Sequence, residues 1–251
     1  MNITLSPQDY ATAFHLLAKT ARHHENIGQW VEQNLLSRMP KRPSLLDVGA
    51  GPGTVARRLA PHFGSLTLLE PNRNQLSAFE HPGAQLFHTD LEGYQSPEQY
   101  DLVLCSHVLY HVPVANWGRF VDRLLARVRP GGYCLIVLGS GRGQNYELHR
   151  DFTQTVISSE QLHAVLKEKQ LPYEVATTLN GFSATSFEEM YTLCRFFVFE
   201  DCCTPEQLAA LSEHEARALD ARIRKHAERC QEADGVYRLT QDEDLILIPK
   251  P

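Results

Sequence analysis

The chain has 251 residues, of which 43% are hydrophobic and 22% charged, an ordinary balance for a soluble globular enzyme and enough for one large α/β domain. A formal net charge of −6 argues against a nucleic-acid partner, whose binding would need a basic patch. Three absences point the same way: no uncharged apolar run reaches the ~18 residues of a membrane span, the first seven residues lack a signal peptide's basic start, and cysteines 105, 134, 194, 202, 203 and 230 show no framework spacing. The expectation is a cytoplasmic protein with reduced thiols, no membrane contact and no metal site, as a monomer or weak homodimer.

Residues 8–38 read as two helices. Tyr10, Phe14 and Leu17 share one face, and Ile27, Trp30, Val31, Leu35 and Leu36 form a second stripe after the polar break Arg22-His23-His24-Glu25. From residue 44 strands and helices alternate, which implies a parallel sheet covered on both faces. The expected strands are 44–49, 66–70, 84–88, 101–105, 133–138 and 173–179, with 236–239 and 245–248 closing the sheet as a hairpin or one long bent strand. Helices are expected over 54–62, 72–80, 117–128, 144–154, 158–169 and 204–231. Arg129-Pro130-Gly131-Gly132 reads as a helix stop. More than 50 residues separate the sixth and seventh strands, which predicts a helical lid there. The chain thus divides into an N-terminal helical cap (1–40), a core of alternating strands and helices (41–140) and a remainder of sheet plus helices (141–251), together one compact domain. The fold class is a doubly wound, mostly parallel seven-stranded sheet of Rossmann-like type. Residues 217–229 interleave Arg and Lys with acids and read as a solvated helix face.

The chemistry concentrates at Leu45-Leu46-Asp47-Val48-Gly49-Ala50-Gly51-Pro52-Gly53-Thr54. A buried strand runs into three glycines at alternate positions and then into a helix. Such a turn lets backbone approach a nucleotide closely. A dinucleotide fingerprint needs glycine at its sixth position, where Thr54 stands, so an oxidoreductase reading is disfavoured. Glu70, ending the second strand, suits a ribose diol, because a carboxylate accepts from both hydroxyls. Asp90, after the third strand, suits the amine of adenine.

With these residues in this order the sequence resembles the class I methyltransferases that bind S-adenosylmethionine. The resemblance covers about residues 41–140, through Asp47 to Gly53, Glu70-Pro71-Asn72, Asp90-Leu91 and Arg129 to Gly132. It implies that Asp47, Gly49, Gly51 and Gly53 hold the methionine moiety, Glu70 the ribose, and Asp90 and Leu91 the adenine. Ser106 and His107, past the fourth strand, would border the methyl group.

More distantly the whole chain resembles the histamine N-methyltransferase family. Tyr10 and Phe14 stand where that family's first helix lines an amine pocket, and His107-Val108-Leu109-Tyr110 matches its Gln, apolar pair and Tyr. Gly139-Ser140-Gly141 matches a Gly-Ser turn, and Gln241 or Asp242 falls at a late Asn. The family's acidic amine-binding position is His23 here, with Glu25 two residues on, and Tyr146 is the nearest aromatic to its pocket tryptophan. The departures imply an acceptor differing from histamine in charge or shape. The resulting expectation is direct methyl transfer to an amine or imidazole nitrogen. Tyr10, Phe14 and Tyr146 would wall the pocket, and His107 or His23 would orient the acceptor or take its proton. Two alternatives use the same cofactor residues: a lyase that cyclises the cofactor to azetidine-2-carboxylate and methylthioadenosine, and a non-catalytic binding protein.

Overall fold

The computed structural model describes residues 5–76, 79 and 81–251. In chain order the elements are α1 (Pro7–Thr20), α2 (His23–Asn34), β1 (Ser44–Val48), α3 (Thr54–Leu59), β2 (Ser65–Leu69), α4 (Arg73–Leu76), β3 (Ala84–Phe87), β4 (Tyr100–Ser106), α5 (Trp117–Arg127), β5 (Val128–Gly139), α6 (Gln144–Phe152), α7 (Ser159–Glu168), β6 (Glu174–Ala184), α8 (Phe187–Phe197), α9 (Pro205–Ala210), α10 (Glu213–Arg229) and β7 (Tyr237–Pro249). The seven strands form one sheet in the order β3-β2-β1-β4-β5-β7-β6. β1 pairs in parallel with β2 and β4, β2 with β3 and β4 with β5, while β7 is antiparallel to β5. This is the expected doubly wound α/β sheet. Its order reverses beside β1, the switch point where such folds place ligands at the carboxyl ends of strands.

The chain divides into two compact units. One, which we call the sheet unit, comprises residues 23–139, 158–178 and 243–251; the other, the helical unit, comprises residues 140–157, 179–242 and those up to Arg22. The two helices read as one N-terminal cap therefore fall in different units, α1 in the helical one and α2 in the sheet one.

In the sheet unit alternate strand residues face α2 and α3. Leu45, Leu66, Leu68, Leu102, Leu104, Leu135 and Val137 pack with Ile27, Val31 and Leu35 of α2 and with Val55, Ala56 and Leu59 of α3. β1 is buried on both faces, which is why it reads as a continuous apolar run instead of an alternating one. At its start Asp101 accepts from the backbone N–H and hydroxyl of Ser44, at 2.7 and 2.8 Å, and Arg129 lies 3.0 Å from Asp101. Arg129 to Gly132 are thus not only a helix stop. β5 begins at Val128 because Gly131 N donates to Lys250 O (2.8 Å) and Lys250 N to Gly132 O (2.9 Å), with a register shift between Tyr100 and Leu102 on β4.

The helical unit has its own core, in which Ala13 and Leu16 of α1, Leu148 of α6, Met190, Leu193 and Cys194 of α8 and Ile223 and Ala227 of α10 are buried. On α1 the buried positions are Ala13 and Leu16, while Tyr10 and Phe14 are 44% and 59% exposed. The helix expected over 204–231 is two helices, because Ser212 accepts from Glu215 N while Glu215 accepts from Ser212 N, a capping box that starts α10 afresh. α10 carries Ala216, Ile223, His226 and Ala227 inward and leaves Arg217 among its exposed residues, as its charge pattern predicted. β7 is one continuous strand, and β6 runs five residues past the expected end. His23, His24 and Glu25, read as a break, are the first turn of α2, and the break is Ala21-Arg22. The expected helix over 72–80 is described to Leu76; residues 77, 78 and 80 lie outside the described residues, as do 1–4.

Candidate active site

The glycine turn joins β1 to α3 and is held from both sides. Gly49 N and Ala50 N both donate to Leu69 O, at 2.8 and 3.0 Å, and Gly53 N donates to Ala50 O at 2.9 Å. Gly49, Gly51 and Gly53 have φ of +69°, +54° and +72°, the left-handed region that a Cβ disfavours. Sterics then separate the three. A Cβ on Gly49 would stand 2.4 Å from Val108 Cγ2, and one on Gly53 2.3 Å from the Phe79 ring, whereas a Cβ on Gly51 would meet nothing within 4 Å. The turn is closed at both ends and open at its middle, the form a backbone cradle needs if a ligand is to lie against it.

Glu70 sits just past β2 and straddles this turn. Its Oε2 accepts from Gly51 N and its Oε1 from Asn72 N, both at 2.9 Å. Each oxygen retains a second lone pair, so a diol can be held without undoing the clamp. Asp47, at the end of β1, is 3% exposed. Burial, with the Glu70 charge adding to it, pushes its carboxyl up to about 7. A sulfonium nucleoside fits this donor and acceptor set: an open glycine cradle, a carboxylate able to accept from a diol, and a second carboxyl close by.

At the end of β3, Asp90 is exposed and accepts from Gly93 N at 2.7 Å, an Asx-type turn, while Leu91 is buried. An open groove of about 470 Å³ lies alongside, lined by Phe87, Thr89, Gly93 and Tyr94 among others, and no residue of the glycine turn lines it. Ser106 ends β4, paired in register with Val137. Next to it His107 has φ +58°, a conformation costing a residue with a Cβ roughly 1–2 kcal/mol. Strain of this kind persists where surrounding structure imposes it, and it gathers at functional sites.

Around His107 is a cluster that the sequence showed only in part. His23 stands edge-on to it, with ring centroids 5.2 Å apart, and Tyr110 stacks on it at 6.0 Å. His23 Nε2 and His24 Nε2 are 3.0 Å apart. His107 Nε2 is buried and lies 3.4 Å from Glu243 Oε1 without hydrogen-bond geometry, and Glu243 is only 1% exposed. Burial pushes His23 down to about 3, with His24 and His107 adding to the shift, and pushes His107 down to about 4, with His24 adding. His24 is lowered by burial too. Burial thus keeps all three imidazoles neutral near pH 7.

The structure thus brings Asp47, the three glycines, Glu70, Ser106, His107 and His23 together in the sheet unit, with Val108 linking the glycine turn to the segment that carries His107. Tyr10, Phe14 and Tyr146 belong to the helical unit, where Tyr10 contacts Phe196 at 5.4 Å between ring centroids. Gln241 and Asp242 are engaged there as well: Gln241 accepts from Asn145 Nδ2 at 2.8 Å, and Asp242 lies 3.7 Å from Arg142. Sequence reasoning missed Glu243. Its one signal was three acidic residues, 242–244, opening an otherwise apolar closing strand. Among the described residues no group of three or more His, Cys, Asp or Glu has metal-holding geometry, His107 and His111 included. All six cysteines are free thiols.

Fold and site together define a Rossmann-like protein with a glycine cradle and acidic clamp at the carboxyl ends of β1 and β2. The chain belongs to the methyltransferase-domain family, whose model matches residues 18–192. Nodulation protein S of Rhizobium tropici is 29% identical over 136 residues, 50% of this chain and 56% of that protein. The dTDP-3-amino-3,6-dideoxy-α-D-glucopyranose N,N-dimethyltransferase of Streptomyces fradiae is 31% identical over 101 residues, 39% of this chain and 40% of that enzyme. These matches span about half of each relative's length or less. Among solved structures, a putative methyltransferase from Bacillus halodurans superposes with a TM-score of 0.56 at 16% identity, covering 85% of this chain and 94% of that one. No helix among the described residues is long and apolar enough to cross a membrane.

Proposed function

We propose that this protein transfers the methyl group of S-adenosylmethionine to a nitrogen of a small cytoplasmic molecule. The observation that carries the cofactor assignment is the Glu70 carboxylate joining Gly51 N to Asn72 N beside a glycine turn open only at its middle. When bound, the cofactor supplies an electrophilic methyl on a positively charged sulfur. Gly49, Gly51 and Gly53 shape the cradle, Asp47 and Glu70 supply its acidic groups, and Asp90 with Leu91 take the adenine end. Ser106 and His107 face the acceptor side. The remaining work is alignment and water exclusion, and alignment alone is worth roughly 7–11 kcal/mol.

A nitrogen acceptor is supported by the neutral imidazole of His107 just past β4, with those of His23 and His24 on α2 beside it, since an amine must shed a proton to be methylated. The Streptomyces relative, named for N,N-dimethylation of an amino sugar, supports the same class. Tyr10, Phe14 and Tyr146 as acceptor-contacting aromatics, and the distant likeness to the histamine N-methyltransferases, are part of this proposal. So are action without a nucleic-acid partner and a monomeric or weakly dimeric state.

The test starts with purified protein and cofactor alone. Methylthioadenosine released without an acceptor supports the lyase reading and overturns methyl transfer; no binding by calorimetry overturns both. With an acceptor panel of primary amines and imidazoles, S-adenosylhomocysteine should form. His107→Ala should then lose turnover about 100-fold or more while keeping cofactor affinity.

A further inference from the structure

Glu243 is a buried carboxyl beside His107. It is almost fully buried on β7, directly opposite Gly139 at the carboxyl end of β5, where an apolar side chain would fill the space without desolvating a carboxyl. Its Oε1 is 3.4 Å from His107 Nε2, a buried ring nitrogen that makes no hydrogen bond. His107 is also the residue held in the left-handed region. Two contacts fix it there: His107 N donates to Val137 O at 3.0 Å, and Tyr110, stacked on the ring, accepts from Gly139 N at 2.8 Å through its hydroxyl. The titratable groups facing the ring are Glu243 from β7, His23 and His24 from α2, and Tyr110 from the turn after β4. On the α2 side the rings continue outward, with His23 edge-on to His107 and its Nε2 3.0 Å from His24 Nε2.

We propose that Glu243 is a positioning residue for His107, and that His107, His23 and His24 form a proton-exit line from a nitrogen acceptor to solvent. This rests on the methyl-transfer reading above. As the acceptor nitrogen uses its lone pair to bond the incoming methyl carbon it becomes positively charged. Its N–H bond then breaks, the proton passes to an imidazole nitrogen of His107, and the bonding pair stays on the acceptor nitrogen. The Glu243 carboxylate steadies the His107 imidazolium until the proton moves to His23, and from the His23–His24 pair to water. In the resting state the proposal places the proton of neutral His107 on Nε2, drawn there by the Glu243 carboxylate 3.4 Å away, and leaves Nδ1 as the basic atom.

The experiment is a histidine ¹⁵N NMR titration of the whole ligand-free chain. Wild type should show His107 as the Nε2–H tautomer. Glu243→Gln should lower its titration midpoint by about one pH unit, because an opposite charge at this range holds the cation, and Glu243→Asp should restore most of the shift. His24→Phe, which keeps the ring and removes the nitrogen beside His23, should raise the His23 midpoint. A wild-type Nδ1–H tautomer, or a His107 midpoint unmoved in Glu243→Gln, overturns the positioning role even where one variant folds poorly. An unmoved His23 midpoint in His24→Phe overturns the exit line. Calorimetry with S-adenosylhomocysteine on the same samples separates the two levels: absent binding in wild type sinks the methyl-transfer reading, whereas intact binding with unmoved histidines sinks only this proposal.

Discussion

Replacing Gly49 and Gly51 by alanine should separate two reasons for a glycine that look identical in sequence. Both residues have positive φ, so each alanine meets a left-handed penalty of roughly 1–2 kcal/mol. A gain of about 0.4–1 kcal/mol from a stiffer unfolded chain offsets part of it. For Gly51 nothing else is added, because its Cβ would reach no atom within 4 Å, and the net cost should be about 1 kcal/mol. For Gly49 the Cβ would stand 2.4 Å from Val108 Cγ2. Overpacking of that kind adds roughly 1–3 kcal/mol, so Gly49→Ala should cost about 2–4 kcal/mol. The assay is urea unfolding followed by circular dichroism at pH 7.5, with Val108→Ala as a second background. Gly49→Ala should become cheaper by about 1 kcal/mol or more when Val108 is truncated, while Gly51→Ala should not respond, since contacting sites couple and separated ones add. Cofactor affinity should rank the variants differently, with Gly51→Ala losing at least tenfold despite its small effect on stability. Equal unfolding costs for the two alanines, with no coupling to Val108, would refute the reasoning.

Stability should also depend on pH with two opposed signs. His23 and His107 have midpoints lowered from 6.5 to about 3 and about 4, so the unfolded chain binds more protons below 6.5. Their contribution is intact above pH 6.5 and is lost as pH falls toward 4. His107→Asn should accordingly be more stable than wild type at pH 5 by about 1–2 kcal/mol and should lose that advantage's pH-dependent part by pH 7.5; the same difference at both pH values would count against the shift. Asp47 runs the other way. Its carboxyl is raised from 3.8 to about 7, so its ionisation lowers stability as pH rises through that range. Asp47→Asn should match wild type near pH 4 and exceed it at pH 8 by about 1–3 kcal/mol, measured by the same unfolding curves; a loss at pH 8 would contradict it. Ser212→Ala should remove the capping box that begins α10 and cost about 1 kcal/mol, seen as a lower thermal midpoint with cofactor affinity unchanged.

Much of the candidate cofactor site was legible because it is local. A glycine turn between an apolar run and a helix is a contiguous word, and Glu70 follows from where the second strand must end. Strand-helix alternation likewise required a parallel sheet with helices on both faces. Boundaries were less legible where partners distant in sequence decide them. Gly131 and Gly132 extend β5 because Lys250 lies beside them, and no spacing rule near residue 130 announces that. The stripe on α1 was real as a periodicity, yet the buried side is the one with Ala13 and Leu16; period tells which residues share a face but not which face is covered.

The sequence by itself determined the fold class, the glycine turn and the placing of Asp47 and Glu70 beside it, since each depends on residues near one another in the chain. Only the tertiary structure decided the company of His107. Glu243 comes from the far end of the chain and His23 and His24 from its beginning, and they meet because a parallel sheet gathers the carboxyl ends of β1, β4 and β5 at one edge, where the antiparallel β7 starts. The proton affinities of those groups follow from that meeting, through burial and mutual repulsion, and so could not be read before the chain was folded.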